Sequence, residues 1–349
     1  MKKSMHGTKL GSARGARQIR ETTDAVAVAS EVLHAMREDL EHAAVSISSI
    51  RSFSEMRQRA QQLGPKRVGV VMADDKVALS AAHDALRLGL ALPVLIGDES
   101  KIRSMTTAAG LDDLLRHAEF VATDKPAVIA VRMAADGDVD ILLKGHLRTD
   151  ELLRAVLDKE SGLRTGRLLS DILFYEDTLS GTKRLVGITD GGLNVAPNLD
   201  QKKQIIQNAV EVMHCLGFAW PKIALMSATE AVSSGLPSTT DAALLTEMGR
   251  TGGLGAAEIF GPLALDNALL KSAAEAKGIG SPVAGQADCM VVPSIEAGNL
   301  LGKAVKYLGG SQCAHVVVGA RVPILIPSRV ESADDKVNAI ALGVLYAIR

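Results

Sequence analysis

"VVMADDKVALSAAHDALRLGLALPVLIGD", residues 70–98, sets two short apolar runs around a segment of different rhythm. The runs, "KRVGVVMA" (66–73) and "LPVLIGD" (92–98), are apolar almost throughout, as strands are when both faces of a sheet are covered. Between them "DKVALSAAHDALRLG" spaces its apolar residues as a helix does and is bounded by Asp and Gly. Strand, helix and strand in that order predict a parallel pair joined by a crossover. The rhythm continues through "VDILLKG" (139–145), "LLSDILFYE" (168–176), "RLVGITDGG" (184–192), "KIALMSA" (222–228), "CMVVPSI" (289–295) and "HVVVGARVPILIPS" (315–328). The expectation is an α/β protein of three-layer sandwiches with mostly parallel sheets and binding loops at the carboxyl edge.

At 349 residues the chain exceeds what one hydrophobic core usually serves, which predicts two domains. Aromatics are only 3%, so the core is expected to be built of Ala, Val, Leu and Ile. A net charge of −1 provides no field for nucleic acid or an anionic membrane surface. The longest apolar stretches, such as "HVVVGARVPILIP", are interrupted well short of the ~20 residues a membrane helix needs. Cys215, Cys289 and Cys313 form no CxxC pair, and they are expected to be small buried residues in a reducing compartment. His214 and His315, inside apolar segments, are expected to be core residues rather than ligands. The first twenty residues hold six Lys/Arg and no secretory apolar core; a basic arm is expected there, then a helix over 22–44 capped by Thr23 or Asp24.

Four loops could carry chemistry. In "DILLKGHLRTDELLRAVLDKE" (140–160) a strand ends at Lys144-Gly145 and a helix starts at Thr149 or Asp150, so helix-start amides with Arg148 and Arg154 could hold an anion. Arg154 is equally well explained by ion pairs to Asp150 and Glu151. The paired glycines of "ITDGGLNVAPNLDQKK" could cradle phosphate, or serve only a turn with positive φ. In "VPSIEAGNLLGKAVKYLGG" (292–310), Asn299 and Lys303 share one helix face, as phosphate and amide contacts or as a solvated surface.

The fourth loop is "IPSRVESADDK" (326–336). Ser328 with Glu331, and Ser332 with Asp335, both fit a capping box. With the helix starting at Ser332, Ser328 and Arg329 would lie on the loop and Asp335 in the first helical turn. Capping accounts for the serines and acids but not for Arg329. A dinucleotide fingerprint is incomplete around Gly253 and Gly255, and a P-loop is absent.

Taken together, these loops, with "GPLALDNA" and "KGIGSPVAGQADCMVVPSIEAGNLLGKA", resemble the phosphate acetyltransferase and phosphate butyryltransferase family over roughly residues 50–349. The resemblance implies two α/β/α domains related in fold to isocitrate and isopropylmalate dehydrogenases, with the active site in the interdomain cleft. The expected division is an arm and helix over 1–50, a first domain of 51–150 plus 319–349, and a second of 151–318. It implies reversible transfer of an acetyl or butyryl group between CoA and inorganic phosphate, with CoA a substrate and no bound metal or nucleotide. A cytoplasmic homodimer is also implied.

By the same resemblance a carboxylate takes the CoA thiol proton, the thiolate attacks the acyl phosphate, and Ser328 donates to the oxyanion. Arg329 and Arg154 match anion-binding arginines, and Asp266, Asn299 and Lys303 match polar cleft positions. Acetyl-specific members carry an aspartate seven residues after the serine, here Asp335; butyryl-type members carry an acid three after it, here Glu331. Both are present, so either could be the base, with Asp335 favoured. Val330 stands where acetyl members usually have Gly. The competing readings are a fold-related dehydrogenase and a binding paralogue without activity.

Overall fold

The computed structural model describes residues 49–348 other than 161, 162, 180, 182, 329 and 330. The basic arm and the helix expected over 22–44 lie outside the described residues, as does Arg329. Strands β1 (Lys66–Val71), β2 (Ala91–Gly97), β3 (Glu119–Ala122) and β4 (Ile141–Lys144) come from the first part of the chain. The middle contributes β5 (Ser170–Asp177), β6 (Arg184–Thr189), β7 (Lys222–Met226) and β8 (Glu258–Leu263). The last are β9 (Cys289–Val291), β10 (Cys313–Val318) and β11 (Ile324–Leu325).

All eleven join one sheet in the order β3-β2-β1-β4-β11-β10-β5-β6-β9-β7-β8. The architecture is mixed α/β with a large, mostly parallel sheet. Antiparallel joints fall only at its centre, β11–β10, β10–β5 and β5–β6. The run expected as one strand over 315–328 is in fact split. Gly319 turns the chain at φ +99, so β11 runs back beside β10 and lies parallel to β4. A side chain at Gly319 would also collide with the Leu168 carbonyl. This reversal carries the residues after β11 to the same sheet edge as the end of β4.

Helices α1 (Phe53–Gln62), α2 (Lys76–Arg87), α3 (Glu99–Ala108), α4 (Asp112–His117), α5 (Pro126–Asp136) and α6 (Thr149–Val156) follow the first four strands' order. Then come α7 (Leu199–Cys215), α8 (Pro237–Arg250), α9 (Leu265–Leu269), α10 (Lys271–Ala276), α11 (Ile295–Lys303) and α12 (Ala333–Tyr346). Local sequence sets their ends. Asp75 caps α2 through the Ala78 amide, and Asn198 with Gln201 closes a reciprocal box on α7. Helix α12 is buried on almost every side, packing on α1, α2 and β10. The core side chains are chiefly Ala, Val, Leu and Ile, as the scarcity of aromatics requires.

The sheet's continuity depends on the fully buried strand β4, which lies between β1 and β11. Leu143→Ala is therefore expected to cost about 2–5 kcal/mol of stability, measured by urea unfolding with an unchanged slope.

Candidate active site

A cleft of about 310 Å³ opens over the centre of the sheet, where the carboxyl ends of β4, β6 and β11 meet α11. Thr149, Gly191, Asn299, Lys303, Ser328 and Glu331 are among its lining residues. Each arrives by a local route. After β4, Gly145 lies so close to the Val71 and Met72 carbonyls that no side chain would fit. Its amide donates to Val71 O at 2.9 Å, and α6 then starts at Thr149 on the cleft's rim. The glycine serves strand packing here rather than approach to a ligand.

The glycines after β6 need neither positive φ nor an anion to explain them. Gly191 and Gly192 are absent from the left-handed positions, and what constrains them is space. A Cβ on Gly192 would come within 2.7 Å of Asp171 Oδ2, and one on Gly191 within 2.8 Å of the Gly298 carbonyl carbon. The amides of Gly192 and Leu193 donate to Asp190 Oδ1 at 2.8 and 2.9 Å, so those two donors are already engaged. The turn thereby lets α11 come in closely, with Asn299 and Lys303 on its cleft-facing side.

Four ionisable groups, Asp171, Cys313, His315 and Glu331, meet in the cleft. β10 alternates its side chains so that Cys313 and His315 both face the cleft. His315 Nδ1 lies 3.4 Å from both oxygens of Asp171, and its Nε2 lies 3.5 Å from Glu331 Oε1. Burial opposes charge on this ring, but the carboxylates of Asp171, Glu331 and Asp335 outweigh it and lift His315 to about 9. It is therefore an imidazolium at neutral pH. His315 was expected to be an ordinary core residue; the structure makes it part of the cleft. Glu331 is held above the usual carboxyl range, first by burial, although His315 and the Ser328 amide act against the rise. Cys313 also lines the cleft, yet burial pushes its thiol up to about 12, too high for a nucleophile.

Asp335 has different surroundings. It is the N3 residue of α12, in a reciprocal box with Ser332. Its Oδ2 accepts from the Ser332 amide at 3.1 Å and hydroxyl at 2.6 Å, and Oδ1 accepts from the Cys313 amide at 2.9 Å. Lys306, on the π-helical turn Ala304–Leu308 that continues α11, donates to it as well. Burial raises this carboxyl, but the bonds from Lys306, Ser332 and Cys313 win and hold it below its ordinary value. Asp335 is only 1% exposed and does not line the cleft.

The remaining sequence-predicted residues divide. Ser328, Glu331, Asn299 and Lys303 line the cleft together. Arg154 is exposed on α6 and pairs with Asp150 at 3.5 Å, and it is not among the cleft-lining residues. Asp266 is exposed on α9, bonded to the Asn267 amide and 4.0 Å from Lys277, also outside the lining. Lys306 and Asp171, which the sequence does not mark, and His315, which it assigned to the core, are additions to the cleft. A helical spacing placing Lys306 near Asn299, and a strand alternation placing His315 diagonal to Asp171, were the available signals, but the second required the strand register.

An α/β sheet that gathers lysines, an imidazolium, a hydroxyl and a raised carboxyl in one cleft over its central strands is the kind of arrangement that suits acid–base chemistry on an anionic substrate. Over residues 113–344 the chain matches the family model described as "Phosphate acetyl/butaryl transferase", and it belongs to that family. It is 37% identical over 301 residues to the phosphate butyryltransferase of Clostridium acetobutylicum, covering 85% of this chain and 99% of that one. It is 40% identical over 297 residues to the phosphate acetyltransferase of Rickettsia prowazekii, 84% of each chain. In structure it resembles a branched-chain phosphotransacylase from Enterococcus faecalis with a TM-score of 0.71 at 28% identity, over 81% of this chain and 99% of that one.

Because the folded state holds Asp335 below its ordinary 3.8, it binds that proton less readily than the unfolded chain does. The stability Asp335 contributes is thus complete above that value and lost as pH falls through the folded value. Asp335→Asn should be less stable at neutral pH, since Lys306 loses its ion partner, and should lose less further stability on acidification than the wild type. Thermal melts across the acid range measure this; parallel curves for the two proteins would contradict it.

Proposed function

We propose that this chain is a phosphate acyltransferase that moves an acetyl or butyryl group reversibly between CoA and inorganic phosphate. Family membership and the relatives' names support the reaction. The observation that carries the site is the convergence of Ser328, Glu331, Asn299 and Lys303 on one cleft over the centre of the sheet.

In the direction of thioester synthesis, the CoA thiol gives its proton to a carboxylate and the sulfur attacks the acyl-phosphate carbonyl carbon. The carbonyl π electrons move to oxygen, then return as the bond to the phosphate oxygen breaks and inorganic phosphate leaves. The free thiol has a pKa of about 8.5, so the acceptor works best with its own pKa raised toward neutrality. Glu331 meets that need, being raised and facing the cleft. Asp335 is held low and has its oxygens occupied by four donor groups, which favours an architectural role. We therefore assign the proton to Glu331 rather than to Asp335, which the sequence alone favoured.

Ser328 donates to the developing oxyanion, Lys303 and Asn299 hold the anionic and amide parts of the substrates, and Arg329 binds the phosphate of the acyl phosphate, which departs as inorganic phosphate. Arg154 is assigned a supporting anion contact that needs it to leave Asp150, and Asp266 a peripheral polar contact that accepts a hydrogen bond from CoA. CoA enters as a substrate and no resident cofactor is invoked. The functional state in this proposal is a cytoplasmic homodimer, with domains of 51–150 plus 319–349 and of 151–318. The pairing of β11 with β4 supports that assignment of the C-terminal segment.

The test is thioester formation from CoA with acetyl phosphate and with butyryl phosphate. Ser328→Ala is expected to lower turnover on the order of 10²–10³-fold, and Glu331→Gln by about 10²–10⁴-fold. Arg154→Ala should chiefly raise KM for the acyl phosphate. Inactivity of the wild type with both acyl phosphates would end this reading.

A further inference from the structure

We infer that His315 is a positioning residue for the transfer, clamped between Asp171 and Glu331 so that it keeps the Glu331 carboxylate ionised and turned into the cleft. The inference rests on the assignment of the thiol proton to Glu331 made above.

The geometry begins with strand register. β10 and β5 are antiparallel, with His315 opposite Leu173 and Val317 opposite Asp171. Asp171 is therefore the diagonal neighbour of His315 on the same face, a separation that a long or aromatic side chain spans. Gly192 leaves the space that Asp171 fills, since any side chain there would strike the carboxylate. From the other side, the segment after β11 brings Glu331 to Nε2 at 3.5 Å, against 3.4 Å from Asp171 to Nδ1.

Both ring nitrogens thus face carboxylates, and only the doubly protonated ring can donate on both sides. The charges around it come from every neighbouring element. Asp171 lies on β5; Glu331 and Asp335 lie at the approach to α12 and in its first turn; Lys303 and Lys306 line the same cleft from α11 and its π turn. Lys306 is paired with Asp335, and the Cys313 thiol on the ring's own strand is not ionised. With both nitrogens facing carboxylates, the ring acts through Glu331. Burial and the nearby Asp335 charge favour the neutral acid at Glu331, and the imidazolium opposes both. A neutral Glu331 could not take the thiol proton, so the cation beneath it decides how much of the enzyme is active at a given pH.

The experiment is the pH dependence of kcat/KM for the acyl phosphate, with CoA saturating, for the full-length wild type, His315→Asn, Asp171→Asn and Glu331→Gln. Loss of the cation in His315→Asn should move the acid limb to higher pH by about one unit, the size of effect an opposite charge at this range exerts. Asp171→Asn keeps the ring but removes its stronger anchor, so the ring should lose its proton earlier than about 9 and the profile should narrow from the basic side. A merely structural role would lower the whole profile and leave both limbs in place. A uniform drop in His315→Asn, or an unchanged profile shape in Asp171→Asn, overturns the inference while a dead Glu331→Gln leaves the proton assignment standing. Near-wild-type turnover in Glu331→Gln would instead bring down that assignment, and the role of His315 with it.

Discussion

The carboxylate of Asp335 lies out of solvent and takes hydrogen bonds from three separate parts of the chain: the start of α12, the π turn after α11 and the first residue of β10. Burying a charge is costly unless its oxygens are satisfied, and here they are. The result ties the helix entry, the lysine-bearing turn and the central strand into one wall. Were that carboxylate removed, Lys306 would lack its ion partner, and the wall of the cleft opposite Ser328 would have no fixed position.

Four residues earlier, Glu331 is the counterpart. Two acids close in sequence are placed in environments that push their proton affinities apart. One is saturated with donors and held low; the other is buried against the cleft and held high. Such a separation assigns roles by physics: the low acid holds structure, and the raised one is the better proton acceptor. His315 contributes to this because its cation, 3.5 Å from Glu331, opposes the rise that burial causes there. The same central joint of β10 and β5 that breaks the sheet's parallel pattern brings Asp171, His315 and the post-β11 loop to one place.

Much of the fold was legible because buried parallel strands are continuous apolar runs. Eight such runs were named, and each contains a strand. The two strands that escaped notice are β3 and β8, and these are the two edges of the sheet. Edge strands are covered less, so "EFVA" is only partly buried and lacks the apolar signature that the interior strands carry. The run over 315–328 hid a reversal for a related reason: burial on both sides makes the strand and the returning strand equally apolar, so only Gly319, the exposed Arg321 and Pro323 mark the turn. The helix starts were easier, since a cap is local; Ser332 with Asp335 form the box their spacing proposed, as Asn198 with Gln201 do on α7.

The cleft was half legible. Ser328, Glu331, Asn299 and Lys303 sit near recognisable strand-to-helix junctions, whereas His315 and Asp171 lie within strands and meet only through register. An isolated histidine in an apolar run gives no hint of a carboxylate on another strand 144 positions away.

The most direct measurement is a crystal structure of the protein with CoA bound in a turnover-competent state. The account predicts the CoA sulfur in the cleft between Ser328 and α11, within hydrogen-bonding reach of the Glu331 carboxylate. A sulfur seated outside that cleft, with Glu331 turned away and no path for the thiol proton to reach it, would contradict the account.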